Sequence, residues 1–578
     1  MSATHYVHRI ITPGLSGDGI DAAEAAALRA DVAGMPTVIS GAYTKRLGNY
    51  ASLAAAIADL PDGGANGGEI LIDGEIPWST TATVPAGVHL HGRGSGNTAL
   101  VAPAGINVPL LDLDGASGAQ VAGIAFRKEA GAAAGANADA ILIRGASSDI
   151  LIDDIDADEL RNAVRAEGSM GTTPGVIERL TIRSSTGRRS PNSYGFVFGD
   201  VDVLTLLDCH GLENWLDGFK LRKSTRNVTV IGGSGIGNGQ GYLTDPGLYA
   251  GDGIDAYAGG DTFSISDFVA NENYGHGVQI KSGDLNETDP VGYGYVRRFE
   301  VNHVHATGNL VGAGLQLNLS NPASTTEPLM TNYNVNGGMF AGNAGPGVRS
   351  RGRNVVLSSV HAIRNTGPGI VISPKSMDTK VVTPMLIANG YPTEAGAHGI
   401  EIYGHNVDVL YPTVIGRDSD TINSDADYTG TTYTNRAISI HNGASGVINI
   451  VRPSMRYCMD GNRVRVDSGV TAAVFIDEIR TANPTDVVMG SPGSVVTKTN
   501  ASFPWEQNWI KRGTEGPNST NNWAPLGAVY TVDTLPSATA RWKGLQLLLA
   551  KNGAGDDELY ICVQSGPSSY AWRKVTLT

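Results

Sequence analysis

A glycine that precedes an apolar-x-apolar strand recurs through the middle of the chain, at Gly195, Gly218, Gly253, Gly277, Gly314, Gly347, Gly369 and Gly399. The gaps are 23, 35, 24, 37, 33, 22 and 30 residues. The short gaps match one coil of three short strands, and the long ones are coils carrying insertions. A second strand series keeps phase with the first: Val203-Leu-Thr-Leu206, Val228-Thr-Val-Ile231, Phe263-Ser-Ile265, Val355-Val-Leu357 and Val407-Asp-Val-Leu410. Alternation along the marked strands turns Phe219, Ile254, Val278, Leu315, Val348, Ile370 and Ile400 inward. It turns Lys220, Asp255, Gln279, Gln316, Arg349, Val371 and Glu401 outward along one ridge. Four residues before the glycine, Asn214, Asn273, Asn343 and Asn365 predict a ladder of amides hydrogen-bonded between coils. A chain written this way winds into an all-β solenoid.

Composition agrees. With 76 glycines, 6% aromatic and 17% charged residues among 578, the chain does not read as a helical bundle. A net charge of −14 without a Lys/Arg cluster argues against a nucleic-acid groove. Cys209, Cys458 and Cys562 are odd in number and far apart, which suggests buried thiols rather than a disulfide framework or metal cluster. No apolar run approaches the ~18 residues of a membrane span. The first residues, Met1 to Arg9, lack the layout of a secretory signal, so synthesis is expected in a reducing cytosol and an extracellular role needs another exit, such as lysis.

Four segments follow. Residues 1–48, with Asp21 and Glu24 placed as a capping box before an alanine-rich run, read as an attachment or trimerisation element or as a helical cap. The winding part covers 49–480. Residues 481–525 read as a linker or coil-capping segment, and 526–578 as a small β module. At the start of the winding part, Leu53, Ile57 and Leu60 predict a short helix stopped by Pro61-Asp62-Gly63-Gly64. Then come Gly67-Gly-Glu-Ile-Leu-Ile72 and Val84-Pro-Ala-Gly-Val-His-Leu-His-Gly-Arg-Gly94.

That order resembles the entry to the pectate-lyase-like superfamily, which includes many phage tailspikes and depolymerases. The resemblance implies a right-handed single-stranded parallel β-helix with a helical N-terminal cap. It also implies a homotrimer on a virion tail, joined to a tail or baseplate protein through the N-terminal segment, whose partner is a bacterial surface polysaccharide. The last 50 or so residues resemble the small β modules of phage tail proteins.

Chemistry concentrates in Asn214-Trp-Leu-Asp-Gly-Phe-Lys220, Gly251-Asp-Gly-Ile-Asp255 and Tyr274-Gly-His-Gly-Val-Gln-Ile-Lys281. Stacked coils bring Asp217, Asp252 and His276 side by side. Hydrolysis of a glycosidic bond needs one protonated and one ionised carboxyl, ~6.5–9.5 Å apart in inverting enzymes. Equivalent positions on adjacent coils lie ~5 Å apart and one coil plus a two- or three-residue offset gives about 8–11 Å, so Asp217 with Asp252 falls at the short end and Asp217 with Asp255 nearer the long end, and either geometry is chemically usable. The series also resembles the polygalacturonase motifs "NTDG", "DD" and "GHG". That likeness implies catalytic roles for Asp217, Asp252 and His276. Gly251 stands where the first aspartate of the pair belongs and no downstream "RIK" follows, so Asp255 would have to substitute. The two longest gaps flank this region with residues 237–250 and 282–295. Trp215, Tyr242, Tyr249, Tyr257 and Tyr274 supply flat faces for sugar rings, and Lys220, Gln279 and Lys281 supply polar contacts.

Other readings stay open. The residue before each glycine points inward on strict alternation, so Asp217 and Asp252 could cap turns instead, and His398 occupies the same slot. Lys220 beside Asp255 is expected as a surface ion pair worth ~0–1 kcal/mol. The acidic run Asp153, Asp154, Asp156, Asp158, Glu159 reads as a solvated face or a cation site. Three activities remain: a hydrolase without cofactor; a lyase using Lys220, Lys281 or His276 as base with Ca²⁺ on the aspartates; and a fibre that only grips sugar.

Overall fold

The computed structural model describes residues 44–222, 225–248, 250–257, 262–282, 296–319, 330–390, 398–416, 436–456, 464–467 and 470–478, then short strands between 495 and 574. The chain winds as a parallel β-helix. One parallel sheet takes a single strand from each successive coil and has 14 strands; a second, of 31 strands, takes two from most coils. The inward row of the first sheet is in register from Phe196 through Phe219, Ile254, Val278, Leu315, Val348 and Ile370 to Ile400. Every one of these side chains is buried, and Phe196 stacks on Phe219 with centroids 5.0 Å apart.

The marker glycines exist because coils approach too closely there for a side chain. A Cβ on Gly218 would meet Gly253 O at 2.8 Å and Asn238 Nδ2 at 2.9 Å. The second of these atoms belongs to the amide ladder. It runs through Asn214, Asn238, Asn273, Asn309, Asn343, Asn365 and Asn389, each Nδ2 donating to the next Oδ1 at 2.7–3.1 Å. Each of these oxygens also accepts the preceding Asn main-chain N–H, so the ladder satisfies a buried donor in every coil it crosses. Three rungs, Asn238, Asn309 and Asn389, escape a fixed spacing because extra residues separate them from the glycine.

Corners are made by single residues in the left-handed region. In one coil these are Val203, Asp208 and Glu213, with φ of 60°, 51° and 53°. In the next they are Asn227, Gly232 and Gly237. The acidic run proves to be a set of ion-pair partners rather than a cation site. Asp153 faces Arg183 at 2.8 Å and Asp156 faces Arg188 at 2.7 Å, Asp158 pairs with Arg189, and Asp154 accepts from Ser95 Oγ at 2.7 Å. Extra residues enter the chain next to strands of the 14-stranded sheet: 239–250 before Ile254–Tyr257, 283–295 after Val278–Ser282, and 391–397 before Ile400–Ile402.

The predicted helix forms as Leu53–Ala58, with Ser52 Oγ accepting from Ala55 N and Leu53, Ala56 and Ile57 buried. Of the predicted attachment segment, residues 1–43 lie outside the described residues, as do Cys458 and most of 481–525. A separate four-stranded sheet gathers Tyr530–Val532, Gln546–Leu549, Glu558–Gly566 and Ser569–Lys574.

Val203 is a β-branched residue held at positive φ and is 41% exposed, while the same corner is Asn in four other coils, at Asn227, Asn332, Asn354 and Asn406, and Asp or Arg at Asp149, Arg179, Arg298 and Asp378. Left-handed backbone costs a β-branched residue more than it costs Asn. Val203→Asn is therefore expected to stabilise the protein by about 1 kcal/mol, read as a raised Tm in a thermal melt. An unchanged or lower Tm would contradict the strain assigned to this corner.

Candidate active site

Three successive strands of the 14-stranded sheet carry the chemistry: β1 (Phe219–Leu221), β2 (Ile254–Tyr257) and β3 (Val278–Ser282). Their register sets Lys220 beside Asp255 and Asp255 beside Gln279, with Tyr257 beside Lys281. Just before each strand, the residue ahead of the marker glycine carries a main-chain N–H that needs an acceptor from the previous coil. Asp217 Oδ1 accepts from Asp252 N at 2.7 Å, Asp252 Oδ1 from His276 N at 2.6 Å, and His276 Nδ1 from Ala313 N at 2.7 Å. His398 repeats this with Arg436 N at 3.2 Å. The capping geometry is thus present, and it uses one acceptor atom of each side chain.

Asp217, Asp252 and Asp255 come together as the stacked segments predict. Each offers an oxygen within 4.8 Å of the others, and all three residues have no exposed surface. The oxygens of Asp217 and Asp255 lie closer than the long separation predicted from coil geometry. They fall short of the inverting range. The ion pair expected at the surface is buried instead. Lys220 Nζ contacts Asp255 Oδ2 and lies 3.6 Å from Asp217 Oδ2, and Lys281 Nζ is 3.1 Å from Asp255 Oδ1. The lysine side chains keep 14% and 11% exposure, so they form the solvent side of the cluster.

These contacts drive the two carboxyls in opposite directions. Burial pushes Asp217 up to about 7, with Lys220 opposing and the Asp255 charge adding to the rise. Its Oδ2 is buried and has no hydrogen-bond partner among the described residues, which favours the neutral acid. Burial also acts against ionisation of Asp255, but Lys220 and Lys281 outweigh it and hold the group below the usual carboxylate range. For Lys220, burial favours the neutral amine, but Asp217 and Asp255 overcome it and hold the charge more firmly than usual. Burial, then Lys281 and Arg349, pushes half-buried His276 down to about 4. With Nδ1 accepting from Ala313, the proton of this neutral ring sits on Nε2. The set does not fit Ca²⁺, because Asp255 is already neutralised by two ammonium groups and Ca²⁺ needs six to eight oxygens.

The aromatic residues gather at one edge. Trp215 packs on the helix Gln240–Thr244, where a Cβ on Gly241 would fall 2.6 Å from its ring. Tyr242 and Tyr274 lie 6.2 Å apart with rings tilted by 42°. Gln279 faces outward but is only 8% exposed. Tyr249 and the Tyr257 side chain lie outside the described residues. Tyr194 was not anticipated: it fills the slot before Gly195, and Lys220 Nζ sits 5.9 Å from its ring centroid. Extending the slot row one coil upstream in the sequence would have found it.

No protein-family model and no curated protein sequence matches the chain. Among solved structures it is similar to the A-module of the Azotobacter vinelandii mannuronan C-5 epimerase AlgE4, at 14% identity and TM-score 0.36, covering 78% of this chain and 96% of that one. It is similar to the catalytic unit of a thermostable GH87 alpha-1,3-glucanase from Streptomyces thermodiastaticus, at 12% identity and TM-score 0.39, covering 75% and 70%. The Dettilon tailspike protein gives 12% identity and TM-score 0.37 over 68% of this chain, which spans 64% of the tailspike's length. Likeness at this level bears on neither substrate nor mechanism.

His276 and His398 are held below their ordinary value, at about 4 and about 3. Each therefore contributes stability that is present above pH ~6.5 and is lost as pH falls through those values. Asn offers a side-chain oxygen that can accept the same main-chain N–H without titrating. The H276N/H398N variant is expected to keep its Tm between pH 6.5 and 4 better than the unsubstituted chain, in melts across that window. Parallel pH profiles would contradict the buried neutral histidines.

Proposed function

We propose that this wall hydrolyses glycosidic bonds of a bacterial surface polysaccharide. Asp217 is the proton donor to the leaving oxygen and Asp255 the ionised carboxylate that activates or makes the attack. The observation that supports this reading is a pair of adjacent carboxyls with opposed protonation, which is the division of labour such chemistry requires. Asp252 positions the donor: its N–H fixes Asp217 Oδ1 and leaves Oδ2 toward Asp255 and Lys220. Lys220 and Lys281 lie over the pair on long flexible stems, and substrate enters by displacing them. Trp215, Tyr242 and Tyr274 give the entering sugar an aromatic margin. The lyase reading fares worse, because Lys220 is held charged and the Nε2 of His276 carries a proton, so neither is a ready base.

Complete burial of the three aspartates favours a second reading, in which they only cap the slot row and the wall binds sugar without cutting it. Asp217→Asn separates the two, since Asn keeps an acceptor for Asp252 N but cannot protonate a leaving group. For a hydrolase, this variant loses about 10²–10⁴-fold in turnover while its Tm stays near that of the unsubstituted chain. Asp217→Ala also loses about 1–3 kcal/mol of stability. Release of reducing ends from capsular and cell-wall glycans, without the absorbance of unsaturated uronates, is the readout. With a donor near 7, kcat/KM should fall as pH rises through about 7. Full turnover by Asp217→Asn would leave only the capping role.

The sequence resemblance supports a further proposal, that the chain works as a homotrimer on a virion tail, attached through its N-terminal segment. Light scattering should then give three times the 60.1 kDa of one chain; a monomer mass would overturn it.

A further inference from the structure

A second group of polar side chains occupies the same outward rows farther along the wall. It sits on β4 (Ile400–Ile402), β5 (Ile438–Ile440) and β6 (Val464–Val466). From Asp255 the register runs through Gln279, Gln316, Arg349, Val371 and Glu401 to Ser439. Those six steps, at ~4.8 Å per coil, cover ~29 Å. In the next outward row the Tyr403 ring stacks on His441, with centroids 4.4 Å apart and planes within 9°. The Tyr403 hydroxyl donates to Glu401 at 3.3 Å, and His441 Nδ1 lies 3.1 Å from Asp467 Oδ2. Arg465 Nε holds the other oxygen of Asp467 at 2.7 Å.

Asp467 Oδ2 accepts a hydrogen bond from His441 Nδ1–H, which leaves the lone pair of the neutral ring on Nε2. That Nε2 is buried without a hydrogen-bond partner among the described residues. Ser439 Oγ is in the same condition, on a residue with no exposed surface at all. Native folds seldom leave such atoms unpaired, and both lie on the outward side of the wall. A metal ion does not answer for them. His398, Glu401 and His441 are close enough to share one, but His398 accepts Arg436 N–H on Nδ1, so its Nε2 carries hydrogen and offers no lone pair. What fits is a ligand bearing hydroxyls, which donate to His441 Nε2 and exchange bonds with Ser439 Oγ, beside the flat body of Tyr403.

We propose that Tyr403, Ser439 and His441 form a second carbohydrate-binding site, which grips the polysaccharide about six coils from Asp217 and Asp255. The site rests on the glycan-acting reading of this wall but not on cleavage. Its role is to hold a long chain against the coils while the acids act on a distant linkage.

The test uses the full chain carrying D217N, so that polymer is bound without turnover. Electrophoresis is run through gels containing polygalacturonate, alginate or α-1,3-glucan, with Ser439→Ala or His441→Gln added separately. Ser439→Ala deletes one buried oxygen, and a melt confirms that it folds. The expected result is retardation by one of the polymers, an apparent Kd raised about tenfold by each added substitution, and no effect of EDTA. Equal retardation with and without the substitutions, or loss of retardation on chelation, would overturn the site. If the unsubstituted chain cleaves a polymer that the added substitutions still bind unchanged, the second site falls and the hydrolase stands. If neither these three polymers nor the capsular and cell-wall glycans retard the protein, the second site and the glycan reading fall together.

Discussion

Coil-to-coil hydrogen bonding at a spacing of ~4.8 Å is the constraint on which the rest depends. Every main-chain donor that the winding buries must find its acceptor in the coil before or after it. The strands answer for most of them. Where the chain leaves one strand for the next, side chains take over. The asparagine ladder serves the approach to the 14-stranded sheet, and the slot row Asp217, Asp252, His276 and His398 serves the step just before the strand. Close approach of the next coil's backbone and of the ladder amides is why glycine follows the slot row.

The candidate site grows out of that structural duty. An aspartate recruited to cap a main-chain N–H commits one oxygen to it, as Asp217 Oδ1 does. Setting two such residues on consecutive coils, with Asp255 projecting from the strand beside them, concentrates acid where no water competes. Lys220 and Lys281 then neutralise one member and leave another protonated. Burial raises both carboxyls and the two ammonium groups pull Asp255 back down, so the lysines set the difference in acidity, and the geometry that creates it belongs first to the solenoid.

Much of this was legible from residues alone, for a physical reason. The strands have a fixed rise and alternate faces, so the inward row from Phe219 to Ile400 and the outward row from Lys220 to Glu401 follow from counting. The meeting of Asp217, Asp252 and Asp255 follows from the same count. What counting misses is the direction of a side chain that lies outside a strand. Whether Asp217 turns to solvent or to the next coil's N–H depends on which acceptor that coil lacks. The corners also stayed hidden, because Val203, Asp208 and Glu213 share a conformation but no chemistry. The rungs at Asn238, Asn309 and Asn389 were lost when insertions broke the spacing to the glycine. The paired arginines opposite the acidic run lie about 30 residues downstream, where only the coil length links them to their partners.

The placement of extra residues beside the 14-stranded sheet has a consequence for how such a protein can change. Most coils keep their length on the flanks built from the larger sheet, although residues 92–97 add to one coil between Val88–His91 and Thr98–Ala102. Longer additions enter at the borders of a single wall, the one that bears the acids and the Tyr403–His441 pair. The margins of that wall can therefore vary while the spine beneath it stays unaltered, much as interchangeable blades are fitted to one handle.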